Sequence, residues 1–141
     1  HLLMIRELVE EFDPQRLAID SLSALERIAP ETGFREFLIS LTSFIKKREI
    51  AGLCTATDKS LVGGHSASEQ HISTLTDSII LLRYIQQAEF MHRGLMVLKM
   101  RGSEHDKQIR RFTIDTSGMH LGQPLDDAPN VFGDALGSPS A

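Results

Sequence analysis

Two short apolar runs, "RLAID" at residues 16–20 and "AGLCTAT" at residues 51–57, bracket a segment whose apolar residues recur at helical spacing. Runs this short, with flanks that stop them, read as buried strands. Between them, Phe34, Phe37, Leu38, Leu41 and Ile45 mark one face of a helix, and "SLSALERIAPETG" holds a shorter helix ahead of Pro30. Two strands joined through a helix cannot be closed by a tight turn. They lie parallel, and a parallel pair needs helices packed on it. This constraint predicts an α/β fold. The basic end of the longer helix, Lys46-Lys47-Arg48, suits the negative pole of the helix dipole.

Upstream, Leu2, Ile5, Leu8, Val9 and Phe12 predict a first helix that Asp13-Pro14 stops, because proline lacks a backbone donor and restricts the residue before it. Downstream of the loop "DKSLVGGHSAS" come "SIILLRYI", "GLMVLKM" and "IRRFTID", with "QQAEFMHR" and "RGSEHDKQ" between them as polar connectors. Three such segments predict antiparallel or mixed pairing beside the parallel strands. In the last, Phe112 and Ile114 alternate with Arg111, Thr113 and Asp115, the pattern of a half-exposed edge strand. Residues 122–141 hold three of the five prolines and read as an irregular tail.

At 141 residues and 41% hydrophobic, the chain is sized for one domain with its own core. Its 15 Lys and Arg stand against 19 Asp and Glu, and a net charge of −4 gives no support to nonspecific binding of nucleic acid. The single cysteine, Cys54, excludes an internal disulfide and, set in an apolar run, is expected to be a buried packing thiol. No apolar run reaches the roughly 18 residues that span a bilayer, and no signal pattern opens the chain, so a soluble, cytoplasmic protein is expected. The start at His1, already inside a helical pattern, suggests a piece of something longer.

Asp20 is the first candidate for chemistry. In open α/β sheets ligands gather at the carboxyl ends of parallel strands, where an aspartate can hold magnesium; an aspartate there can equally cap the next helix, with Ser21 sharing that duty. No G-x-x-x-x-G-K-[ST] phosphate loop occurs in the sequence, and Gly63-Gly64 lacks the lysine such a loop needs. The stretch "KMRGSEHDK" collects Lys99, Arg101, His105 and Lys107 around a glycine, either as cations for an anionic ligand or as a charged hairpin tip. The six histidines show no metal-ligand spacing. In "EQHISTLTD" the adjacent hydroxyls Ser73 and Thr74 sit among Glu69, His71 and Asp77, a polar connector or a site of self-modification.

Taken together, "RLAIDSLSALER", "GFREFLISLTSFIKKREIAGLCTAT", "GGHSASEQHISTLTDSIILLRYI" and "RGLMVLKMRGSEHDKQIRRFTIDTSGMHLG" resemble the KaiC family of circadian-clock RecA-like ATPases, and within it the second of two ATPase repeats. The resemblance covers most of residues 2–121. It implies the C-terminal half of a RecA-like P-loop NTPase domain over residues 1–121, an α/β mixed sheet with a parallel core and an antiparallel extension. It implies a homo-hexameric ring with ATP and magnesium (Mg2+) between subunits, slow ATPase activity, and clock or signalling partner proteins. By this resemblance Asp20 is the Walker B aspartate, with Ser21 beside it. Ser73 and Thr74 match the pair that receives a phosphoryl group, and Ser68 and Glu69 neighbour them. Lys99 and Arg101, with Arg93 and the Ser103, His105 and Lys107 turn, match the group that reaches a nucleotide on the adjacent subunit.

The sequence departs from the family in several places. The phosphate loop and the catalytic glutamates after it lie outside these 141 residues, so the chain by itself is expected to be inactive as ATPase or kinase. Ala56 stands where the family usually has asparagine, and a methyl group cannot sense phosphate by hydrogen bonding. A noncatalytic interaction or assembly module on the same fold is the alternative. A DNA translocator on that fold would need a basic surface, which the net charge of −4 argues against.

Overall fold

The structure is a computed structural model and describes residues 1–57, 74–87 and 89–125. Two compact units divide the chain, His1–Leu75 and Thr76–Ala141. The element order of the first is α1 (Leu2–Phe12), β1 (Arg16–Ile19), α2 (Leu22–Ile28), α3 (Glu31–Lys47) and β2 (Ala51–Cys54). In it β1 and β2 pair in parallel, with Leu17 opposite Gly52 and Ile19 opposite Cys54. The strand, helix, strand reading of the sequence is this crossover.

Helix ends follow local chemistry. Helix α1 stops where Asp13 turns left-handed ahead of Pro14, its N–H returning to the Val9 carbonyl. Helix α3 closes in a Schellman arrangement: Ile50 N–H reaches the Ile45 carbonyl, Glu49 N–H reaches that of Lys46, and Glu49 is left-handed. Arg48 then pairs with Glu10 at 3.1 Å, and Arg6 and Arg48 both stack on the Phe44 ring, at 5.3 and 5.2 Å, fastening α1 to α3.

The apolar faces converge in two clusters. Val9, Leu41, Ile45 and Ile50 form one, with Leu17 and Ile19 of β1 packed on it. Leu22, Phe34 and Leu38 form the other, joined by Leu75. Burying a side chain such as Leu41, 1% exposed, is worth about 1.5–3 kcal/mol. The strands themselves are not buried as their composition predicts. Every residue of β2 is exposed and β1 alternates between exposed and half-buried. The reason is coverage: the helices lie over one face, where Gly52 sits beneath Ile45, while Leu53 stays 66% exposed. Cys54 is likewise exposed rather than buried, although its surroundings raise its thiol pKa by desolvation.

The second unit is an antiparallel sheet of β3 (Ser78–Gln87), β4 (Phe90–Met100), β5 (Arg110–Asp115) and β6 (Gly118–Pro124), paired in that order. The parallel and antiparallel parts expected from sequence are both present, as two separate sheets. Polar "QQAEFMHR" is not a connector: Gln87 pairs with Phe90 and Arg93 with Tyr84. Half of a strand's side chains face solvent, so polar residues at its ends continue the ladder through their backbones. β5 is internal, between β4 and β6, rather than an edge. The edges are β3 and β6, and β6 takes in residues 122–124 that composition assigned to the tail; residues 126–141 lie outside the described residues. Among the described residues no helix is long and apolar enough to cross a membrane.

Candidate functional site

Because β1 and β2 run parallel and in register, the residues just past their last pair, Asp20 and Thr55, emerge at the same end of the sheet. This is the carboxyl end, where ligands collect in α/β folds. The Thr55 hydroxyl donates to Asp20 Oδ1, its N–H donates to the Ile19 carbonyl at 3.0 Å, and its carbonyl accepts the Leu22 N–H at 2.9 Å. Two residues on, Thr57 N–H donates to Ser23 Oγ at 2.8 Å, and Ser23 is only 2% exposed. The Asp20–Ser21 peptide bond is cis.

The capping reading of this segment does not describe what the side chains do. Ser21 holds the N-cap position of α2 but makes no side-chain cap bond, and the Asp20 carboxylate is engaged by Thr55. Asp20 is exposed, with one oxygen accepting from Thr55. Among the described residues no three metal-ligating side chains converge. A lone oxygen donor fits magnesium, which keeps several waters and takes one or two carboxylates together with substrate phosphates. It does not fit a closed all-protein metal cage.

The second unit carries the cationic candidates. The open end of the β3–β4 hairpin is tied by Arg101 N–H to the Asp77 carbonyl at 2.7 Å, and Arg101 Nη1 lies 3.5 Å from the Asp77 carboxylate. Lys99 Nζ donates to the Thr76 carbonyl at 3.0 Å. A bulge precedes this end: Ile80 faces Val97 but Ile79 faces Lys99, so Lys99 takes the place an unbroken register would give Leu98. The turn then passes through Gly102 at φ 79°, backbone that a side chain disfavours.

The loop beyond is shaped by Asp106. Its carboxylate accepts the Gln108 N–H at 2.9 Å and a fork from Arg110, Nη2 at 2.9 Å and Nε at 3.1 Å. Those bonds, the Gln108 one first, hold the Asp106 carboxyl below the usual aspartate range. Ser103 and Lys107 are exposed on this loop, and His105 is half-buried, its Nε2 without a partner among the described residues.

Thus Lys99 and Arg101 share one end of the sheet. Arg93 does not join them: it sits near the other end of β4, 6.0 Å from the Tyr84 ring, and six residues of strand separate it from Lys99 by about 20 Å. Asp20 and Ser21 belong to the first unit, the cations to the second. Thr74 is exposed; Ser73, Ser68 and Glu69 lie outside the described residues. Sequence reasoning passed over Thr55, Ser23 and Asp106. No local signal marks Thr55, because its place level with Asp20 follows from the register of β1 on β2.

A family model described as "ATPase: KaiC" matches residues 2–126. The circadian clock protein KaiC3 of Synechocystis is 56% identical over 139 residues, covering 99% of this chain and 27% of that protein. The circadian clock oscillator protein KaiC of Prochlorococcus marinus is 44% identical over 135 residues, 96% of this chain and 26% of the relative. Its counterpart in Synechococcus elongatus is 48% identical over 118 residues, 84% and 23% respectively. The chain therefore spans about a quarter of the length of these relatives.

Proposed function

The chain belongs to the KaiC family of ATPases, and on that premise we propose that it supplies the magnesium-side carboxylate and a cationic loop to ATP sites shared between neighbouring subunits of a homo-hexamer. Asp20 is the proposed magnesium ligand, directly or through water, with Ser21 beside it. Bound magnesium would neutralise charge on the phosphates during phosphoryl transfer. Lys99 and Arg101, with Ser103, His105 and Lys107, are the proposed contacts to a nucleotide held by the adjacent copy. The acceptor is water, and in a second reaction the hydroxyls of Ser73 and Thr74. A phosphate on either adds about −1.5 to −2 charge close to Asp77 and Glu69, which favours a subunit contact that brings cations to it. The role is that of a circadian-clock or signalling regulator acting with partner proteins; the clock part is supported by relatives named as circadian clock proteins.

One observation carries this reading: an exposed aspartate at the carboxyl end of a parallel pair, one carboxylate oxygen already held by Thr55. The test uses the polypeptide as its source organism makes it. Asp20→Asn should abolish magnesium-dependent ATP hydrolysis, and mapping after incubation with ATP should find phosphate on Ser73 or Thr74. Wild-type hydrolysis by Asp20→Asn would remove Asp20 from the magnesium site, and no hydrolysis by the unmodified protein would return the fold to the noncatalytic assembly reading; unmodified hydroxyls would leave a plain ATPase.

A further inference from the structure

We infer that Thr55 is a positioning residue for the Asp20 carboxylate, setting how that group meets a magnesium–nucleotide ligand; the inference rests on the function proposed above. Three bonds single Thr55 out. Its N–H and carbonyl bond to Ile19 and Leu22, the two residues that flank the Asp20–Ser21 step, at 3.0 and 2.9 Å. Its hydroxyl donates to Asp20 Oδ1. One residue therefore holds the backbone on both sides of the aspartate and one of its carboxylate oxygens.

The bond to the carboxylate matters because the terminal torsion of aspartate is broad and roughly two-fold. Left to itself the carboxylate plane turns. A hydroxyl donating to one oxygen selects a plane and leaves the other oxygen to meet the ligand. The donor is itself constrained, since threonine is stiff at χ1 and Thr55 has both backbone groups engaged. The strand end is fixed again two residues on, where buried Ser23 accepts the Thr57 N–H. Partners that orient ligating carboxylates typically change metal affinity by about 10–100-fold when removed. Thr55 and Asp20 are both exposed, so their bond contributes little to folding, and its loss should appear in ligand binding alone.

The test again uses the polypeptide as the organism makes it, with Thr55→Val, Thr55→Ser and Asp20→Asn. Binding of a fluorescent, non-hydrolysable ATP analogue is followed as magnesium chloride is raised, and once in its absence. Thr55→Val should raise the half-saturating magnesium concentration about tenfold, leaving magnesium-free binding and the thermal midpoint unchanged. Thr55→Ser, which keeps the donor, should stay near wild type. If Asp20→Asn loses the magnesium dependence while Thr55→Val keeps it unaltered, the role of Thr55 is refuted and the site stands. If Asp20→Asn keeps wild-type magnesium dependence, the proposed site fails and takes this inference with it. A Thr55→Val protein that does not fold also overturns it, because a bond between two exposed side chains cannot carry that much stability.

Discussion

Gly94, buried in β4, has no room for even one more carbon. A Cβ there would lie 2.3 Å from Ile85 Cδ1, 3.2 Å from Ile85 Cγ1 and 3.0 Å from Ile109 Cγ2, against an optimal carbon separation of about 3.5–4.0 Å. Ile85 cannot swing into solvent, since it is 1% exposed and packed with Met96, Leu81, Leu98, Ile109 and Leu125. Two effects compete in Gly94→Ala. Alanine recovers about 0.5–1 kcal/mol of backbone preference over glycine in a strand, and overpacking costs about 1–3 kcal/mol. With the obstructing methyl that close, overpacking wins, and a net loss of about 1–2 kcal/mol is expected. In urea unfolding followed by circular dichroism this is a midpoint lowered by about 0.5–1 M at unchanged slope. Ile85→Val removes Cδ1 itself and should cost about 0.5–1.5 kcal/mol alone. In that background Gly94→Ala should be cheaper by at least about 0.5 kcal/mol, the coupling of residues in contact. A neutral Gly94→Ala, or strictly additive effects, would refute the packing argument.

Leu41→Ala empties the centre of the Val9–Ile45–Ile50 cluster and should cost about 2–5 kcal/mol by denaturant titration; a loss below 1 kcal/mol would mean the site collapses around the gap. Asp106 and Asp115 are both held below the usual aspartate range, Asp106 by the Gln108 N–H and then Arg110, Asp115 by the Ser117 hydroxyl and N–H and then His120. A carboxylate depressed in the fold stabilises it fully above the unfolded value of about 3.9 and loses that contribution as pH falls through the lower folded value. Carboxyl titration by NMR should therefore find both midpoints below the ordinary value, and midpoints at or above it would contradict the bonds. Cys54 is exposed yet has a raised thiol pKa, so its alkylation rate should keep climbing at pH values where an ordinary thiol has levelled off.

The parts of the fold legible in sequence were those with one strong period. Helix α3 declared itself through Phe34, Leu38, Leu41 and Ile45, and all four are buried. Strands β1 and β2 were found by their apolar runs, but their exposure was misjudged, because a run tells which residues tolerate burial and not what covers them. β6 was missed: "GMHLGQP" has two large apolar residues among two glycines and a proline, and only its pairing to β5 makes it a strand. Asp20 could be picked out by position in the chain alone. Thr55 could not be tied to it, since the partnership depends on register across two strands whose ends are 35 residues apart. The bulge that turns Lys99 opposite Ile79 is likewise a matter of pairing, with no signal in the local residues.

The last strand settles where this sheet can be trimmed. A cut after Leu121, where composition begins to read as an irregular tail, would look harmless. It would take away Pro124, which faces Arg110, and Leu125, whose N–H reaches the Ile109 carbonyl at 2.8 Å and whose side chain covers Ile85 and Met96. A protein engineer seeking a minimal version should count four residues past that point as part of the roof.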